Sequence, residues 1–271
     1  MDIERNTLES CSFIKGKVAD FPKVAVVLGS GLGGLVAEVA VHQEISYRDI
    51  PHFPVSTVAG HSGNMVIGTL NRVPVCILNG RKHFYEGVPM REVVFPVKVL
   101  HSLGVETLIL SNAAGALNPS FQVGDVMLIE DHISLFPAKP FEGMPDVEEK
   151  AVSHPIDIYS KELIKNTLQV AKKLGIPLQH GVYTAHSGPY YGTLAESTMQ
   201  FQMGADAVGM STIPEAQMAK MLGMNVLAFS VLTDLAIIGS HDHPTHEAVL
   251  KAATAAGEKL VCLVSELMPE L

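Results

Sequence analysis

The chain has 271 residues, 47% hydrophobic and 17% charged, which is rich enough for a large core and excludes a disordered chain. Nineteen Lys and Arg against 28 Asp and Glu give a net charge of −9, which argues against a nucleic-acid partner and means that any anion site must be locally basic. Cys11, Cys76 and Cys262 lie far apart without metal-ligand spacing, and the runs around Cys76 and Cys262 read as buried, so a reducing cytoplasmic setting is expected rather than a disulfide framework. The N-terminus is charged and lacks a signal core, and no apolar run reaches the ~20 residues of a membrane span.

In chain order, "KVAVVL" (23–28) reads as a buried strand, followed by the turn GSGLGG and a helix over about 31–40. Gly29, Gly31 and Gly34 fit the dinucleotide fingerprint, and three readings are open: an NAD cradle, a cradle for a smaller phosphate, and a tight turn with glycines for packing. The NAD reading needs an acid after a second strand. Asp49 is the approximate candidate, but the proline-broken segment after it closes no βαβ unit. Ser30 adds a hydroxyl that suits a small free anion.

A strand over 73–78 leads into "GRKHFYEG" (80–87), where Arg81 can fork onto an oxyanion, although a polar surface loop would read the same way. A helix over about 90–103 follows, then a strand over 106–111 and "SNAAGALNP" (111–119), either a close backbone approach to a flat ligand or a simple turn. After a strand over 125–130, the Pro-rich and charged stretch 136–155 reads as a linker or, preferably, a functional loop. Helices are expected over about 159–174, 193–203, 213–223 and 245–268, with a last strand over 225–232. Thr193-x-x-Glu196 and Thr212-x-x-Glu215 are capping boxes, which place Gly192 and Ser211 just before helix N-termini. In "HDHPTH" (241–246), His241 and His243 read as solvated loop residues rather than metal ligands. The fold class is α/β: a single domain over 1–271 with a mixed, mostly parallel twisted sheet flanked by helices on both faces.

GSGLGGL (29–35), FPVSTVAGHSG (53–63), GRKHFYEG (80–87), SNAAGALNP (111–119), VGDVMLIEDHI (123–133), GADAVGMSTIPE (204–215) and HEAVL (246–250) occur in one order over nearly the whole chain. Together they resemble the trimeric purine nucleoside phosphorylases and their methylthioadenosine phosphorylase relatives. The resemblance implies phosphorolysis of a purine nucleoside to free base and ribose 1-phosphate, with inorganic phosphate as co-substrate, no other cofactor and no metal. It implies a cytoplasmic homotrimer without nucleic-acid or membrane partners. The glycine turn then looks like a phosphate cradle.

Carried over by the resemblance, phosphate contacts fall on Ser30, His61, Arg81, His83, the Ala113 backbone and Ser211, with His61 also readable as an exposed loop histidine. Glu86 matches the carboxylate that orients His83. Ribose contacts fall on Tyr85, Met210 and His246, the last at the 5′-hydroxyl. The base is expected among Ala113, Ala114, Gly115, Tyr191, Gly192, Val208, Thr233 and Asp234, and the catalytic set is His83, Glu86 and Asp234.

The base pocket departs from the family. "GPYYGT" (188–193) has Gly192 where the family has a glutamate that accepts from purine N1–H, and Thr233 is followed by Asp234 rather than asparagine. A 6-oxopurine offers N1–H and O6; adenine offers an N1 acceptor and a 6-amino donor. Both changes point toward 6-aminopurines, with lost selectivity at Gly192 and a solvated acid at 234 as the alternative. The segment "KAVSHP" lacks the aromatic with which family members reach into a neighbour's site. Methylthioadenosine phosphorylase, an NAD-dependent dehydrogenase and a non-catalytic purine-binding protein stand as the alternative functions.

Overall fold

The computed structural model describes residues 2–30, 32–58, 62–142, 144, 147, 157–236 and 245–271. Its frame is one nine-stranded sheet: β1 (Val24–Leu28), β2 (Ala40–Ser46), β3 (Asn64–Leu70), β4 (Val73–Asn79), β5 (Thr107–Ala116), β6 (Val126–Ser134), β7 (Leu178–Ala185), β8 (Ala207–Gly209) and β9 (Asn225–Leu235). Pairings β1–β4, β1–β5, β5–β9, β6–β7 and β7–β8 are parallel; β2–β3, β3–β4, β5–β8 and β6–β9 are antiparallel. Because β5 pairs with both β8 and β9, the strands β5, β8, β7, β6 and β9 close into a ring.

Alternation along β1 builds a core on each face. Ala25 and Val27 pack with Ile14, Phe95 and Leu100, whereas Val24, Val26 and Leu28 pack with Leu260, Leu263 and Leu267. The first face is covered by α1 (Ile3–Lys15) and by the short α2 (Met90–Val93) and α3 (Phe95–Ser102), which together occupy the expected 90–103 helix. The second is covered by α4 (Lys161–Leu174) and, after α5 (Leu194–Gln202) and α6 (Ile213–Met221), by the long α7 (His246–Leu267).

The structure corrects several expectations. Helix α1 was not anticipated. Asp2 caps it, accepting from the Arg5 N–H, and Ile3, Thr7, Ser10, Cys11 and Ile14 form its buried stripe. The expected helix over 31–40 is instead a six-residue 3₁₀ segment, Gly33–Glu38, after which Val39 is already extended and leads into β2. Strand β2 is an edge strand with exposed His42 and Glu44, so it lacks the apolar run by which the buried strands announce themselves. Since β2 pairs antiparallel with β3 at the sheet's far edge, no βαβ crossover follows β1, and the dinucleotide reading loses its framework. Cys262 is exposed, because the apolar run around it is helical and turns Leu260, Leu263 and Val264 inward instead; Cys11 and Cys76 are buried.

Candidate active site

Strands β4, β1, β5 and β9 run parallel, so their carboxyl ends converge on one side of the sheet. A cavity of about 350 Å³ opens there, lined by residues of β5 and β9 and of the segments that leave β1, β4, β7 and β8. The turn after β1 lies directly on β5. A Cβ at Gly29 would stand 2.7 Å from the Ser111 carbonyl oxygen and 2.8 Å from Asn112 Cα, so only glycine allows the approach that brings Ser30 to the cavity. Gly31 lies outside the described residues.

Ser30, His83, Asn112, Ala113 and Ser211 line one end of the cavity. Ser211 precedes Thr212, the N-cap residue of α6, where backbone N–H groups and the helix dipole favour an anion. Thr212, fully buried, takes φ +75°, a rare conformation for a β-branched residue. It is held by its N–H donating to Glu215 Oε2 (3.0 Å) and its Oγ1 accepting from Asn112 Nδ2 (2.9 Å).

Arg81 stands one layer behind this wall. Its guanidinium donates to the carbonyls of Ser111 (2.8 Å) and Val27 (3.2 Å), to Thr212 Oγ1 (3.2 Å) and to Ser211 Oγ (3.3 Å), and its Nε lies 3.2 Å from Glu215 Oε1. Both members of that ion pair are about 95% buried. Arg81 thus reaches the cavity through Ser211.

His83 is buried, and its ring stacks on Tyr85 with centroids 4.8 Å apart. Glu86 accepts from the His83 backbone N–H at 2.7 Å and has Oε1 3.4 Å from the His83 Nδ1. It also accepts from the Thr57 N–H and hydroxyl, each at 2.7 Å, and pairs with Lys82 at 2.9 Å. Burial alone would raise the Glu86 carboxyl, but the His83, Thr57 and Lys82 hydrogen bonds outweigh it and hold the group well below the usual carboxylate range. Burial pushes the Tyr85 phenol up to about 12. Tyr85 and Met210 meet over Gly188, where a Cβ would come within 2.9 Å of Tyr85 and 2.5 Å of the Met210 sulfur.

At the other end, a bulge in the β5–β9 ladder sets Leu232 opposite Ala114 and Asp234 opposite Gly115, leaving Thr233 as the extra residue. The bulge turns Asp234 onto the cavity wall, against Gly115, where a Cβ would lie 2.9 Å from its Oδ2. Thr233 Oγ1 lies 3.3 Å from the Ala114 carbonyl oxygen and 2.9 Å from Asp234 Oδ1. Burial raises the Asp234 carboxyl, against the opposing hydrogen bond from Thr233. Ala114, Val208 and Tyr191 complete this end.

The cavity therefore brings together Ser30, His83, Tyr85, Ala113, Ala114, Gly115, Tyr191, Val208, Met210, Ser211, Thr233 and Asp234. Gly192 is not on its wall; its φ of +84° at the turn before α5 accounts for the glycine. His61, His241 and His243 lie outside the described residues, as do parts of the 136–155 loop and the side chain of His246. Besides Gly29 of the turn, seven lining residues are not among the predicted contacts: Val58, Asn112, His186, Pro189, Gly209, Ala236 and Val249. Val58, Asn112, Pro189, Gly209 and Val249 lie inside stretches already singled out, whereas His186 and Ala236 lie outside them.

The phosphorylase superfamily profile matches residues 23–268. The chain is 43% identical over 264 residues to purine nucleoside phosphorylase 1 of Bacillus subtilis, covering 96% of this chain and 97% of that one. It is 44% identical over 259 residues to the purine nucleoside phosphorylase of Bos taurus, covering 92% and 89%. The crystal structure of Schistosoma mansoni purine nucleoside phosphorylase in complex with adenosine superposes with a TM-score of 0.86 at 35% identity, covering 98% and 97%.

Proposed function

We propose that this chain, which belongs to the phosphorylase superfamily and stands among its purine nucleoside phosphorylases, cleaves purine nucleosides with inorganic phosphate. The observation that supports the reading is one cavity lined by Ser30, His83, Ser211, Tyr191 and Asp234; in this reading the first three form an anion end and the last two a base end. In the proposed reaction a phosphate oxygen bonds to C1′ as the C1′–N9 bond breaks. The bonding pair stays on the purine, which takes up a proton, and the products are ribose 1-phosphate and the free base. The protein's part is positioning and electrostatics. Hydroxyls, the His83 imidazole, the Ala113 N–H and the start of α6 hold the phosphate beside C1′, and Glu86 fixes His83. Tyr85 and Met210 pack against the ribose. Phosphate serves as co-substrate, and the reaction calls for no further cofactor.

The base end favours 6-aminopurines in this reading. A carboxylate at Asp234 accepts from a 6-amino group, and its protonated form, favoured by burial, donates to N7 as the base leaves. The relative solved with adenosine is consistent with a site of this shape admitting such a nucleoside. Asp234→Asn tests it: the ratio of kcat/KM for adenosine over inosine should fall roughly five- to a hundredfold, the cost of mispairing one buried polar group. An unchanged ratio contradicts the assignment. Methylthioadenosine is the second candidate, since Val58 and Val249 put apolar surface on the cavity; activity on it exceeding that on adenosine would select that reading.

A homotrimer belongs to the same proposal. Tyr190, Tyr191, Leu194, Met199, Phe201 and Met203 are each about half exposed along α5 and the turn before it. Tyr191 also lines the cavity, so a partner covering this surface would border the site. The three free thiols fit the cytoplasmic setting that the reading implies.

A further inference from the structure

The base end holds a second polar side chain. His186 follows β7 directly and lines the cavity together with Val208, Gly115 and Asp234. The register shows how they are arranged: Ala185 pairs with Gly209, Val208 with Gly115, and Gly115 with Asp234. His186 and Asp234 thus stand at opposite sides of a floor made of Val208 and Gly115. Small and apolar residues there admit a flat ring, and the polar groups at its two sides meet the ring's edge.

The tautomer of His186 follows from its neighbour. The Gly188 backbone N–H donates to Nδ1 at 3.3 Å, so Nδ1 is the acceptor nitrogen and the proton of the neutral ring sits on Nε2. Among the described residues no hydrogen bond is made at Nε2. Burial lowers the affinity of the ring for a second proton, against an opposing influence of Glu196. A neutral ring with Nε2–H is a donor.

We infer that His186 is a specificity-determining residue of the base end, donating from Nε2–H to N1 of a 6-aminopurine while Asp234 accepts from the 6-amino group. The inference rests on the 6-aminopurine reading above and deepens it. Adenine presents an acceptor at N1 beside a donor at the 6-position, and a donor paired with an acceptor is the complement of that edge. A 6-oxopurine presents N1–H, which faces another donor in the same place. Gly192 contributes no side chain that would compete for N1.

The test is 1-deazaadenosine, in which C–H replaces N1, compared with adenosine in the full-length enzyme. Two variants separate the base contact from the turn contact. His186→Asn keeps an acceptor at the position of Nδ1 for the Gly188 N–H but does not reach as far as Nε2. His186→Gln places an amide N–H near Nε2. The kcat/KM ratio of adenosine to 1-deazaadenosine should fall about tenfold or more in His186→Asn and be largely kept in His186→Gln. If His186→Asn keeps the parent's ratio, the ring serves only the turn and the inference is overturned. If the parent cleaves inosine but not adenosine, the 6-aminopurine reading itself fails. The two failures are distinct, because the first leaves adenosine a substrate.

Discussion

Arg81→Ala removes the heavily bonded side chain behind the proposed anion end. The guanidinium ties the ends of β1 and β5 together through the Val27 and Ser111 carbonyls, supports Thr212 and Ser211, and neutralises the buried Glu215. Leaving one partner of a buried ion pair uncompensated costs about 3–5 kcal/mol. For a chain of this length each kcal/mol moves the melting temperature by about 2 °C, so a loss of roughly 6–10 °C is expected by calorimetry or thermal circular dichroism. Ser211 loses its charged donor at the same time, and the KM for phosphate should rise about ten- to a hundredfold, as expected for a charge-assisted contact. The double variant Arg81→Met with Glu215→Leu removes both charges. It should regain much of the lost stability without regaining phosphate affinity. An Arg81→Ala protein that melts within about 1 °C of the parent and keeps its phosphate KM would refute the network as drawn.

His83→Ala should raise the phosphate KM about ten- to a hundredfold in steady-state assays at varied phosphate; an unchanged KM would remove His83 from the anion end. Glu86→Gln should lower stability at neutral pH, measured by urea denaturation. The folded-state carboxyl is held below its reference value of 4.5, so its stabilisation is complete above that value and is lost as pH falls toward the lowered one. The gap between parent and variant should therefore narrow on acidification, whereas a gap that stays constant would mean that Glu86 gains nothing from being ionised in the fold. Leu194→Glu together with Phe201→Glu places charge on the exposed apolar face of α5 and should convert a trimer to monomer in sedimentation velocity at micromolar protein. A parent that sediments only as monomer would contradict the assembly.

Buried strands were legible because β-branched and aliphatic runs have no other comfortable place: Val24–Leu28 and Val73–Asn79 lie within a residue of their expected bounds. The two capping boxes were legible because their hydroxyl and carboxylate are three residues apart, and both are formed. The site itself was legible only in part. Strand β5 continues through Asn112–Ala116, a stretch whose composition also reads as turn, and β9 through Thr233–Leu235, beyond the apolar run that marks it. Pairing with β8 and with each other, rather than propensity, extends them, and that extension builds the cavity wall at Gly115 and Asp234. Arg81 carried the chemical signature of an anion ligand, but its burial against Glu215 depends on residues 134 positions apart in sequence and is invisible to spacing. His186 has no motif of its own; only the register that sets it across from Asp234 gives it a reading.

The central claim is phosphorolysis, and one assay tests it most directly. The purified chain is incubated with inosine, guanosine, adenosine and methylthioadenosine, each with and without inorganic phosphate, and free base and sugar phosphate are quantified together. Base release should require phosphate, and ribose 1-phosphate should appear mole for mole with base for the nucleosides. Base released equally well without phosphate, with free ribose as the sugar product, would contradict it.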